Sequence, residues 1–310
     1  MNPQPTREER TWAVVSHLSA LALGMGILLP IVGWSEQRQK SRYASFHCLQ
    51  ALGYQSLGYT VWLLSYLVLL IFLLIIYLLA ADNIQKSSPL FSAWVVLFLA
   101  GMFGLLGVYL VLPVIGAIAC ALGKDFHYPI LGRRLARYLG YGSSSQTGEP
   151  SSLNEEHADR WVAAMGHFSV IIVFWGLLAP AATWVLQGKR TPFLKLQAIQ
   201  TTLYQVLVNL FYLGAMLLSL FGTVPLLALN GPSARSSTSM AGLFVFLATM
   251  LVALLFLMVV PLFHLLGQWA GYRLLKGDNY RYPLLGKVVQ KQLASLESRS
   301  QLLDSIKELS

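Results

Sequence analysis

Five stretches of this chain run without a single Asp, Glu, Lys or Arg: Tyr43 to Ala81, Ser87 to Gly123, Trp161 to Gly188, Leu196 to Ala234 and Ser236 to Tyr272. Each exceeds the roughly 20 residues that a helix needs to cross a ~30 Å hydrocarbon core. Trp12 to Trp34 is shorter and equally uncharged. With 56% of its residues apolar and only 11% charged, the chain lacks the polar surface a soluble domain needs. The reading is an all-α integral membrane protein. Several runs are too long for one upright span, which predicts tilted helices with interfacial extensions.

Arg7 and Arg10 precede an apolar stretch, as in a signal peptide, but His17, Gly24, Gly26 and Pro30 interrupt it and a close copy recurs after residue 160, where no signal acts. Cys48 and Cys120 are the two cysteines; they make no disulfide framework and read as small buried apolar residues. The net charge of +9 sits in short loops beside apolar runs. That pattern points to membrane orientation and anionic lipid on the cytoplasmic face, with no nucleic acid among the partners.

Arg10, His17, Ser19, Pro30 and Trp34 return as Arg160, His167, Ser169, Pro180 and Trp184 at one constant offset. Farther on, Phe46-His-Cys-Leu-Gln50-Ala51 aligns with Phe193-Leu-Lys-Leu-Gln197-Ala198, and Phe126-His-Tyr128-Pro129 with Tyr280-Arg-Tyr282-Pro283. Two modules in the same order follow: residues 1–139 and 158–290, joined by a flexible linker, 140–157, rich in Ser and Gly. Residues 291–310 read as an amphipathic tail. In each module a broken or re-entrant N-terminal segment precedes two long transmembrane helices, whose connecting turns lie at Asp82 to Pro89 and Asn230 to Ser239.

The basic residues decide between two topologies. If 12–34 and 161–184 each cross the membrane, the modules are inverted, and Lys and Arg divide almost evenly between the two faces. If both segments are hairpins, bent at Gly24/Gly26 and before Pro30 and Pro180, all Lys and Arg but Lys86 and Arg235 fall on one face. The positive-inside rule favours the hairpins, parallel modules and cytoplasmic termini, in a bacterial inner membrane. A re-entrant backbone needs protein or a water-filled cavity around its polar groups, so the hairpins should face the bundle interior.

Within the apolar runs the ionisable residues include no carboxylate or basic relay, only histidines. His17 and His167 each precede a serine, Ser19 or Ser169, by two residues; with Gln50 and Gln197 they make a set of candidate central polar residues. Arg10, Trp12, Tyr128, Pro129, Arg160, Trp161, Arg281, Tyr282 and Pro283 read as interfacial anchors. Glycines 101, 104, 107, 267 and 271 give smooth helix faces for close packing. No phosphate loop, zinc-protease helix, nucleophile elbow or carboxylate pair is present, so neither catalysis nor a cofactor or metal is expected.

Arg10-Thr-Trp12, His17-Leu-Ser19, Phe46-His-Cys-Leu-Gln50-Ala51 and Gly277-Asp-Asn-Tyr280-Arg-Tyr-Pro283 resemble the motifs of a widespread bacterial membrane-domain family of unknown function. That family is similar to the small multi-spanning subunit of the chloroplast inner-envelope protein translocon. The resemblance implies a four-segment bundle in each module and a role in forming or scaffolding a translocation passage or membrane-protein assembly. Two rivals fit the same residues: a small-solute transporter with inverted repeats, and a protein that organises anionic lipid through its basic rim.

Overall fold

The computed structural model describes residues 4–79, 89–142, 153–229 and 240–308. The two inter-helix turns and Ser143 to Ser152 of the linker, and with them Lys86 and Arg235, lie outside the described residues, apart from Pro89, which opens a helix. Most of the described residues in both modules are helical, and none of them is in a strand. By length and hydropathy five segments can cross a membrane: Arg7–Gln37, Arg42–Leu79, Phe91–Ala121, Pro192–Val224 and Gly242–Leu275. The chain is an integral membrane protein. The first of the five, however, does not run straight.

Helix α1 (Arg7–Leu18) starts from a capping box in which Thr6 and Glu9 bond each other's backbone N–H. A 3-10 turn over Ser19–Ile27 reverses the chain, and α2 (Leu28–Gln37) returns alongside α1. A Cβ on Gly33 of α2 would meet the Trp12 ring at 2.9 Å and the Ser16 hydroxyl at 3.3 Å. In one continuous helix Gly33 would stand about 31 Å from Trp12 and about 25 Å from Ser16. At the mouth of the hairpin Gln37 donates to Glu8 at 3.0 Å. Pro30 sits in the first turn of α2, where a missing N–H costs nothing. The second module repeats the design with α6 (Glu155–Phe168), a turn, and α7 (Leu178–Gln187). In both tips a glycine is required: a Cβ on Gly26 or Gly176 would collide with the carbonyl of Ser19 or Ser169.

After each hairpin come two long helices, α3 (Arg42–Leu79) and α4 (Pro89–Ala121) in the first module, α8 (Pro192–Leu229) and α9 (Met240–Leu275) in the second. Ser41 and Thr191 cap α3 and α8 from equivalent positions. At 38 residues each, α3 and α8 measure about 57 Å, far beyond a ~30 Å hydrocarbon core. Burial divides α3: Ala44 to Ser56 is packed beneath the hairpin, while Val61 to Leu79 exposes leucine, isoleucine and valine to the surroundings. Short α5 (Leu131–Leu139) buries Leu135 and Leu139 and exposes Arg133, Arg134 and Arg137. The last helix, α10 (Leu285–Glu308), is continuous through residue 290, so the expected division between module and tail falls inside one helix. The linker is likewise shorter than read, since α6 begins at Glu155 under an Asn154 cap.

The modules are parallel. Arg38, at the end of α2, contacts Asp159 near the start of α6 and donates to Gln187 at the end of α7; Gln187 in turn donates to Ser35. Both hairpin mouths therefore open on one face, which also carries α5. The inverted arrangement required by the transporter reading is not the one adopted. Between the hairpins lies a continuous apolar core that includes Ile27, Ile31, Trp34, Trp161, Met165 and Phe168.

Three expectations are corrected by burial. Tyr128 and Tyr282 are 1% and 2% exposed and Trp161 is 6% exposed, so none is an interfacial anchor. The two tyrosines are sealed inside their modules, and the Trp161 indole donates to the Leu49 carbonyl across the module boundary at 2.9 Å. Gly104 and Gly107 have nothing within 4 Å of a Cβ and serve no close contact. Gly101, Gly267 and Gly271 do, against Leu69, Val170 and the Ala164 carbonyl.

Candidate functional site

Each module holds one buried polar cluster beneath its hairpin. His17, completely buried, stands on the last turn of α1. Its Nδ1 is 2.9 Å from the Tyr128 hydroxyl and its Nε2 is 3.3 Å from Nδ1 of His47. His47 Nε2 lies 3.2 Å from an Asp125 carboxylate oxygen, and Cys120 Sγ lies 3.5 Å from His47 Nδ1. Gln50 closes the cluster from α3: its amide donates to the Phe126 carbonyl at 2.9 Å and its oxygen accepts from the Tyr128 N–H at 3.1 Å. This exchange ties the exit segment 124–130 to the bundle.

The second module builds the same frame. His167 Nδ1 is 2.9 Å from the Tyr282 hydroxyl and its Nε2 is 3.2 Å from the Gln197 oxygen. Here Gln200 donates to the Tyr280 carbonyl at 3.0 Å and its oxygen stands 3.4 Å from the Tyr282 nitrogen that donates to it. Gln200 is thus the counterpart of Gln50, and Gln197 the counterpart of His47. The sequence alignment of Gln50 with Gln197 is wrong by three residues. The offset of the hairpin simply continues along the first long helix, as Gln55 and Gln205 confirm: both donate to the serine of their own hairpin turn, Ser19 at 2.9 Å and Ser169 at 3.1 Å. Tyr54 and Tyr204 likewise stack on Tyr128 and Tyr282 with centroids 4.2 and 4.0 Å apart.

Of the residues expected at the centre, His17, Ser19, Gln50, His167, Ser169 and Gln197 are all buried. They do not meet across the symmetry axis. Each set bonds within its own module, because the hairpins face each other through the apolar sides of α2 and α7. Arg10 and Arg160 reach backbone carbonyls of their own module, Ala121 and Asp278; Trp12 packs inside its hairpin, Pro129 and Pro283 are exposed, and exposed Arg281 donates to Gln290. His264 stands apart from both clusters, with Nε2 2.9 Å from the Tyr212 hydroxyl.

His47, Gln55, Cys120, Asp125, Gln200 and Gln205 complete the site; none of them is expected there from the sequence, in which Cys120 reads only as a small buried apolar residue. Extending the constant offset would have found the glutamines; the Cys120 and Asp125 contacts arise only when the end of α4 folds back on α1. Burial holds the Tyr128 and Tyr282 hydroxyls well above their ordinary range, so both remain protonated hydrogen-bonding groups. At the module boundary burial raises the Asp159 carboxyl, and the nearby Arg38 charge draws it partly back.

A profile of the magnetosome magnetite crystal formation protein family matches residues 8–135 and again residues 158–289. The two matches coincide with the two structural modules. No curated protein and no solved structure matches the chain.

Proposed function

The chain belongs to the magnetosome magnetite crystal formation protein family, and from that premise we propose that it is a non-enzymatic membrane scaffold that supports crystal formation by organising other membrane proteins. The observation that carries this reading is the packed boundary between the hairpins. Ile27, Ile31 and Trp34 are at most 1% exposed there, and the Arg38 ion pair closes its rim. A passage through the centre of the chain would have to break this core. The translocation role implied by the motif resemblance is therefore the weaker form of the proposal, and the parallel modules remove the support that an inverted repeat would have lent to transport.

The orientation proposed is cytoplasmic for the face that carries both hairpin mouths and α5, in a bacterial inner membrane, as the positive-inside rule requires. A second reading, binding of anionic lipid, is favoured by one feature of that face: a groove of 570 Å³ lined by Trp184, Val185, Gly188, Lys189, Pro192 and Lys195. An indole beside two ammonium groups suits a phosphate headgroup at the interface.

The test has two arms. The chain is expressed in a magnetosome-forming bacterium from which its own members of the family have been deleted, and crystals are sized by electron microscopy. Restored crystal size is expected; unchanged, defective crystals sink the crystal-formation role. In proteoliposomes the purified chain should pass neither ions nor small dyes, and measurable flux replaces the scaffold with a passage.

A further inference from the structure

We infer that His17, His47 and Cys120 form a binding site for a transition-metal dication of the zinc class, with Tyr128 and Asp125 orienting the two imidazoles. The inference goes beyond the scaffold reading and does not depend on it.

The three ligand atoms, His17 Nε2, His47 Nδ1 and Cys120 Sγ, lie within 4.8 Å of one another. A tetrahedral ion with ~2.0 Å bonds to nitrogen and ~2.3 Å to sulfur sets its ligand atoms about 3.3 Å apart for two nitrogens and about 3.5 Å for nitrogen and sulfur. The observed separations are 3.3 Å between the two nitrogens and 3.5 Å between His47 Nδ1 and the sulfur. Two of the three edges of the ligand triangle already have the length an ion requires.

The outer groups agree. A histidine that binds metal through one ring nitrogen directs the other at a carboxylate or another hydrogen-bonding group, which fixes its orientation. His47 turns Nε2 to Asp125 at 3.2 Å, and His17 turns Nδ1 to the Tyr128 hydroxyl at 2.9 Å. Both inward-facing nitrogens are left for the ion. A dication, the Cys120 thiolate and the Asp125 carboxylate sum to zero charge, which a site this deeply buried demands. Binding releases the Cys120 thiol proton, while both imidazoles stay neutral. Asp125 has a side chain 47% exposed and opens the site to the face that carries α5. The thiolate selects a zinc-like ion over magnesium or calcium, and three protein ligands leave a fourth position for water or another donor.

The second module is an internal control. At the positions equivalent to His47, Cys120 and Asp125 it carries Gln197, Leu274 and Asn279, while the His167 to Tyr282 contact is kept. The frame persists there without the metal-binding set. Among the described residues the consequence is one site per chain.

The experiment uses the full chain without an affinity tag, purified in detergent, stripped with chelator and titrated anaerobically with Co²⁺. One Co²⁺ per chain should give a thiolate charge-transfer band and the visible bands of a tetrahedral site, release one proton, and yield to Zn²⁺. His47→Gln, which copies the second module and should fold, and Cys120→Ala should each abolish the bands; Cys48→Ala should keep them. Circular dichroism establishes that each variant is folded. No thiolate band in the wild-type chain, or a band that survives in folded Cys120→Ala, overturns the site and leaves His17 and His47 as a hydrogen-bonded pair.

Discussion

Arg38 Nη2 and Asp159 Oδ1 lie 3.2 Å apart across the boundary between the two modules, with side chains only 6% and 10% exposed. The same guanidinium donates to Gln187 at 3.0 Å and covers the Trp34 ring at 4.8 Å. Arg38→Met leaves the Asp159 carboxylate buried without its cation, a loss of about 3–5 kcal/mol for pairs of this kind. Thermal unfolding in detergent should show a large fall in Tm; a shift within error would mean the pair does not hold the modules together.

The same carboxyl gives stability a pH dependence. Because burial raises it above the ordinary carboxylate range, the folded chain keeps its proton to higher pH than the unfolded chain does. This contribution is complete below the ordinary aspartate value and is lost as pH rises through the raised one. Asp159→Asn should flatten the stability profile across that acidic window. An identical slope in the variant would assign the dependence to other groups.

Gln200 bonds the exit segment on both sides of Arg281, at the Tyr280 carbonyl and the Tyr282 N–H, whereas Gln197 donates to the Tyr280 carbonyl alone. Gln200→Leu strands the Tyr282 N–H in a buried site, costing about 1–3 kcal/mol, while the Tyr280 carbonyl keeps its bond from the Gln197 amide at 3.0 Å. Gln197→His, which imitates the first module, should be tolerated. If unfolding temperatures rank the two variants the other way, the three-residue correction of the repeat is wrong.

Gly26→Ala and Gly176→Ala each drive a methyl group into a serine carbonyl at the hairpin tip. Overpacking of this kind costs about 1–3 kcal/mol, and here the obstacle is backbone rather than a movable side chain. Limited proteolysis should cut both variants faster near their altered tips. Gly104→Ala, with open space around it, serves as the neutral comparison.

Parallel modules place Lys40 and Lys189, both exposed, on one side of the membrane. Single cysteines at these positions, in a background of Cys48→Ala and Cys120→Ala, should both resist an impermeant thiol reagent until the cells are opened. Labelling of one alone in intact cells contradicts the parallel arrangement. Labelling of both reverses the cytoplasmic orientation.

Much of the architecture was legible because the bilayer is a simple solvent. It demands uncharged runs and collects basic residues on one side, so the spans and the parallel modules could be read from Arg and Lys alone. The hairpins followed from the same asymmetry together with Gly24, Gly26 and Pro30. The polar cluster was only half legible. His17 and His167 stood out as a repeated pair, yet a local likeness between Phe46 to Ala51 and Phe193 to Ala198 outweighed the true offset. Tyr128 and Tyr282 resembled interfacial anchors because an aromatic beside a proline near a membrane boundary usually is one.

The sequence by itself determined that this protein is helical, membrane-embedded and doubled, since hydrophobicity, charge and repetition are properties of the chain taken in order. Only the tertiary structure decided which side chains meet. Cys120 and His47 are 73 residues apart, Arg38 and Asp159 belong to different modules, and nothing in their local sequence encodes the approach. Those contacts depend on how far each hairpin inserts beside α3 and α8, and the depth is set by the packing of glycine, tryptophan and carbonyl groups at the tips.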